Sequence, residues 1–102
     1  MRGDTWLKDV GVPAITGSNI YAKDGALFIL WDEAEDSGFP DGPIGMFVLS
    51  PFAKTKGFQN FIHYDHSSML KTFEEIFGVT SLLGGAASSA TNDLSDFFLP
   101  LN

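Results

Sequence analysis

Two clusters in this chain carry side chains that do chemistry. The first is Asp32-Glu33, a pair of adjacent carboxylates that follows the apolar run at 26–31. Hard oxygen donors side by side suit a divalent cation such as magnesium, manganese or calcium. A strand's carboxyl end is also where open α/β sheets bind their ligands. The same pair would equally mark a solvated strand end, charged because the chain is leaving the core. The second cluster is His63-Tyr64-Asp65-His66. Two histidines three apart in a loop have no fixed geometry, so their spacing alone is a weak metal signal. Asp65 suits a helix N-cap and His63 an exposed position. His66 is the stronger candidate, because it opens a helix whose N-terminus also favours anions.

Nucleophile motifs are missing. No Gly-x-Ser-x-Gly elbow and no glycine-rich phosphate loop after a strand occurs in the sequence. Ser50, Thr55, Ser67 and Ser68 are accounted for by turn and capping roles. Glu35, Asp36 and Asp41 lie in an acidic loop that lacks the ligand pattern of a calcium hand.

The elements that must position these residues follow from periodicity. Six uninterrupted apolar residues at 26–31, behind the turn Asp24-Gly25, predict a strand buried on both faces of an α/β sheet. A second strand is expected at 44–49, closed by Ser50-Pro51. The intervening 33–43 has nearly the length of a parallel crossover but no helical period, which leaves the pairing of the strands open. The clearest helix covers about 67–77. Its Met69, Leu70, Phe73, Ile76 and Phe77 form one stripe expected to face the core, with Asp65 or Ser67 as cap and Gly78 as terminator.

Around these lie weaker signals. Residues 4–10 predict a helical turn capped by Asp4, with Trp6, Leu7 and Val10 inward, stopped by Gly11 and Pro13. Gly17-Ser18-Asn19 reads as a turn. Residues 52–64 read as a surface loop held down by Phe58, Phe61 and Ile62. Small residues at 84–91 suggest a linker, and Asn92-Asp93 a cap before an apolar tail of Leu94, Phe97, Phe98 and Leu99.

With 102 residues the chain is expected to form a single domain, 1–102, of the α/β class. A net charge of -7 argues against nucleic acid as a partner and makes anionic substrates awkward unless bound cations reverse the local field. Cysteine is absent, which removes disulfides and thiolate metal sites. No apolar run approaches the roughly 20 residues of a membrane span. The charged N-terminus offers no signal-peptide core, so the default expectation is cytoplasmic. Two strands and one good helix can hardly cover ten Phe and two Trp, so the small sheet is expected to be completed by self-association into a homo-oligomer.

The ordered series GDTWL, GALFILWDEAED, IGMFVLSPFAK, YDHSSMLKTFEEIFGV, LGGAA and DLSDFF resembles the C-terminal part of the phosphoesterase family. That family includes bacterial acid phosphatases and non-specific phospholipases C, within the alkaline-phosphatase-like superfamily. The resemblance runs nearly end to end and implies a metal-dependent phosphoric ester hydrolase on a mixed α/β sheet. It implies that Asp32 and Glu33 ligate the catalytic metal and that His66 holds the place of a histidine ligand. The family's further ligands, and its Ser or Thr nucleophile, belong to an N-terminal half with no counterpart in these residues.

The expected function is therefore a metal-dependent phosphatase acting on small phosphate monoesters as an oligomer. Asp32 and Glu33 are expected to hold the metal, and His66 to ligate it or to act as general acid. The metal is magnesium, manganese, calcium or, with a histidine ligand, zinc. The alternatives are a non-catalytic, truncated phosphoesterase segment that self-associates, or a metal-dependent carboxylesterase.

Overall fold

The computed structural model describes residues 2–33 and 44–100, in a chain that divides into two compact units, 1–53 and 54–102. The acidic loop with Glu35, Asp36 and Asp41 lies outside the described residues. Helices and a small two-stranded sheet together make a mixed α/β structure.

The first unit opens with α1 (Gly3–Trp6), a π-helical turn (Leu7–Gly11) and α2 (Val12–Thr16). Gly11 and Pro13 were expected to stop the helix, and neither does. Pro13 sits in the first turn of α2, where its missing N–H costs little, and the turn before it is widened. Gly11 takes ordinary right-handed helical angles, and the Trp6 indole lies against it; a Cβ there would come within 2.6 Å of Trp6 Cζ3. Trp6 and Val10 are themselves about half exposed rather than inward. The expected turn falls at Gly17-Ser18. Ser18 then caps α3 (Asn19–Asp24), its Oγ accepting a hydrogen bond from the Tyr21 N–H at 3.2 Å.

Strand β1 (Leu27–Leu30) pairs antiparallel with β2 (Met46–Leu49), Leu27 opposite Leu49 and Leu30 opposite Met46. The Trp31 N–H donates to the Gly45 carbonyl at 3.2 Å, and Ser50 Oγ donates to the Gly25 carbonyl at 2.7 Å, so both ends of the ribbon are tied. These strands fall inside the expected 26–31 and 44–49, but full burial of β1 is not reached. All four of its residues are partly accessible, because a two-stranded ribbon supplies one neighbouring strand rather than two.

The second unit is built on α4 (His66–Ile76). Asp65 caps it in a reciprocal box: its Oδ1 accepts from the Ser68 N–H and Ser68 Oγ accepts from the Asp65 N–H, both at 3.1 Å. Gly78, at φ +71°, ends it as expected. Val79 N–H reaches the Glu74 carbonyl at 2.8 Å and Gly78 N–H the Glu75 carbonyl at 3.2 Å, the paired bonds of a Schellman motif.

The helix is turned differently from the expectation. Ser68, Met69, Thr72 and Glu74 are buried, whereas Leu70, Phe73, Ile76 and Phe77 of the apolar stripe are exposed. Only Met69 belongs to both sets. Small residues permit this choice: Ala86 of a 3-10 turn (Gly84–Ala87) is completely buried and Gly85 leaves no room for a Cβ beside Ser67, while the larger Leu94 is completely buried as well. The segment expected as a linker therefore contributes to the core. The tail docks as expected, through a second 3-10 turn (Ser95–Phe97). Phe97 lies edge-on to Phe58 and tilted against Tyr64, with its carbonyl accepting from the Lys54 N–H at 2.9 Å. Phe61, expected to hold down the 52–64 loop, is fully exposed.

Candidate functional site

Asp32 and Glu33 emerge where β1 ends, and both are exposed. The irregular backbone there frees neighbouring side chains from the strict alternation of a strand. Asp32 Oδ1 accepts a hydrogen bond from the Glu33 N–H at 3.0 Å, which fixes the first carboxylate against the backbone of the second. Two carboxylates on consecutive residues offer hard oxygens suited to magnesium, manganese or calcium, and exposure leaves room for water to fill the remaining positions. The donor chemistry fits a divalent cation as a partial set.

His66 belongs to the other unit, as the first residue of α4, and is partly buried. His63 is exposed, 3.8 Å from an Asp65 carboxylate oxygen through Nε2. Asp65 is committed to the helix cap. Among the described residues, no group of three or more His, Asp or Glu side chains gathers as metal donors.

The second unit contains polar groups that local sequence did not single out. Asp96 accepts from Lys54 Nζ at 3.0 Å and from Asn60 Nδ2 at 2.8 Å, and these donors hold its carboxyl below the usual carboxylate range. Asn60 Nδ2 also donates to the Tyr64 hydroxyl at 2.9 Å, while burial, reinforced by the Asp96 and Asp93 charges, pushes that phenol up. Lys54 lies 4.8 Å over the Phe58 ring. The partners are separated by up to 42 residues, so no local pattern announces them.

A second acidic cluster joins α4 to the tail. The Ser95 hydroxyl and N–H hold Asp93 low. Desolvation and the neighbouring Asp93 charge push Glu75 up. Deeper in, Glu74 is buried; Oε1 accepts from the Leu83 N–H at 3.5 Å, and Oε2 has no hydrogen-bond partner among the described residues. These contacts tie the loop and the tail to one helix, and serve the fold first.

No described helix is long and apolar enough to cross a membrane. The chain matches no protein-family model, no curated protein and no solved structure.

Proposed function

We propose that this chain is a metal-dependent phosphatase that hydrolyses small phosphate monoesters and works as an oligomer. The observation that carries the reading is the exposed carboxylate pair Asp32-Glu33 at the carboxyl end of β1. The ordered motifs that resemble the phosphoesterase family support it. In this reading Asp32 and Glu33 hold a divalent cation, and His66 completes the ligand set or protonates the leaving oxygen. The cation supplies the positive charge that a chain of net charge -7 otherwise lacks for a phosphate ester.

The test is hydrolysis of a chromogenic phosphate monoester by purified protein, with and without chelator, beside Asp32→Ala. Turnover that needs metal and disappears in the variant supports the reading. Absence of turnover across pH and across magnesium, manganese, calcium and zinc sinks it. A matched carboxylate ester in the same assay separates a phosphatase from a metal-dependent carboxylesterase.

A second reading, a non-catalytic phosphoesterase-like segment that self-associates, is favoured by the exposed apolar side chains of α4. It requires oligomers without metal-dependent turnover.

A further inference from the structure

We propose that residues 79–83 form a hinged strap closed over Glu74, which swings out as one unit about Gly78 and Gly84 and lets water reach the Glu74 carboxylate. The strap belongs to the second unit alone, and its opening is independent of whether the chain hydrolyses phosphate esters.

Glu74 supplies the tension. It lies on α4 with only 6% of its surface exposed, deeper than an unpaired carboxylate ordinarily lies. Its Oε1 accepts from the Leu83 N–H at 3.5 Å, a long bond, and its Oε2 has no hydrogen-bond partner among the described residues. A carboxylate has about four acceptor positions to satisfy, so this one has given up its water without regaining equivalent bonds. That penalty lasts only while the strap is closed.

Little holds the strap down. Both hydrogen bonds that return it to α4 end on Glu74: the Val79 N–H donates to its carbonyl at 2.8 Å, and the Leu83 N–H to its side chain. Among the described residues, nothing accepts from the N–H groups of Thr80, Ser81 and Leu82. Val79 and Leu83 are 44% and 64% exposed, so closure buries little apolar surface. The ends of the strap can turn. Gly78 and Gly84 take φ of +71° and +52°, and a Cβ at either would meet nothing within 4 Å. Beyond them the chain is fixed, by α4 on one side and by the completely buried Ala86 on the other, with the Gly85 carbonyl accepting from Thr91 Oγ1 at 2.6 Å. A weakly held segment between two fixed ones opens locally, without global unfolding.

Hydrogen exchange of the full chain, read amide by amide by nuclear magnetic resonance at neutral pH, tests this, with helix content followed by circular dichroism. In the wild type the Val79 and Leu83 amides should have the same protection, about 100-fold or more below that of the buried Leu94 amide, because they open together without unfolding. Glu74→Met keeps the length of the side chain and removes the buried charge. It should slow exchange at Val79 by about 10-fold or more, since Val79 bonds to a main-chain carbonyl that the substitution leaves in place. Glu74→Gln should act in the same direction by about 3-fold, and it decides the outcome if the methionine variant loses helix. Were Glu74 only an anchor, both substitutions would speed exchange at Val79 instead. Unchanged or faster exchange there overturns the proposal, as does a wild type in which Val79 and Leu83 differ by more than about 10-fold in protection, or exchange no faster than Leu94. Loss of helix in both variants overturns it too, because the carboxylate would then hold the fold rather than strain it.

Discussion

Thr72 and Leu94, 22 residues apart, are joined in the core of the second unit by one hydrogen bond: the Leu94 N–H donates to Thr72 Oγ1 at 3.0 Å. The same hydroxyl donates to the Ser68 carbonyl at 2.7 Å, so it is satisfied on both sides. Leu94 is completely buried and its amide has left water to get there. This bond lets α4 bury its small, polar edge rather than its apolar stripe.

Thr72→Val keeps the shape and removes the acceptor, leaving the buried Leu94 N–H unpaired. It should destabilise the second unit by about 1–3 kcal/mol. Thr72→Ser, which retains the hydroxyl, should cost less. Urea denaturation followed by helix circular dichroism compares the two, and equal losses would show that packing rather than the hydrogen bond matters.

Trp31 lies against Gly45 as Trp6 lies against Gly11; a Cβ at Gly45 would stand 2.6 Å from Trp31 Cζ3. Gly45→Ala should lift the indole from the ribbon and away from Phe47, whose ring centroid is 6.1 Å distant. The cost should be about 1 kcal/mol, at the low end for overpacking because Trp31 is half exposed and can move. In a Trp6→Phe background, Trp31 fluorescence should shift to the red. An unchanged spectrum would refute the contact.

Glu75 and Asp93 should pull stability in opposite directions with pH. Glu75 is raised, first by burial and then by Asp93, so its contribution is complete below its ordinary value of 4.5 and is lost as pH rises through its folded value. At neutral pH it costs stability. Glu75→Gln should therefore stabilise the fold at pH 7, by about 0.5 kcal/mol or less given its exposure to solvent. The gain should vanish below pH 4.5. Thermal melts of both proteins across pH 3–8 would show it, and a gain that persists in acid would point to another cause.

Asp93 and Asp96 are both lowered, Asp93 mainly by Ser95 and Asp96 mainly by Lys54. Each contributes stability that is present above the ordinary carboxylate value of 3.8 and lost as pH falls through the lowered one. Asp96→Asn should remove part of the acid-side loss, weaken the hold of the Lys54–Tyr64 stretch on the tail, and speed proteolysis at the Lys54–Phe58 turn. Unchanged cleavage would mean that the Phe58, Tyr64 and Phe97 rings hold the segment without the charge pair.

If Asp32 and Glu33 hold a divalent cation, manganese binding followed by electron paramagnetic resonance should show a site that is lost in Asp32→Asn and reduced in Glu33→Gln. Helix content should be untouched, since both residues are exposed at the end of a strand. Identical binding by wild type and variants would remove this pair from the metal reading.

Local chemistry was written in the sequence. The Asp65 cap, the Gly78 terminator, the two strands and the turn at Gly17-Ser18 each follow from a few adjacent residues whose preferences nothing distant contradicts. The carboxylate pair beyond β1 was legible for the same reason. Tertiary structure decided what adjacency does not encode. Pro13 could be absorbed because the turn before it widened, and Gly11 takes ordinary helical angles with an indole lying against it. The antiparallel pairing of β1 and β2 depended on a register that the strands' own composition leaves open. Above all, the apolar period of α4 showed which face was greasy and not which face was buried. Thr72, Ser68, Gly85 and Ala86 permit a closer approach than phenylalanines do, and only the arrival of Leu94 from 22 residues away satisfies the hydroxyl that makes that polar edge cheap to bury.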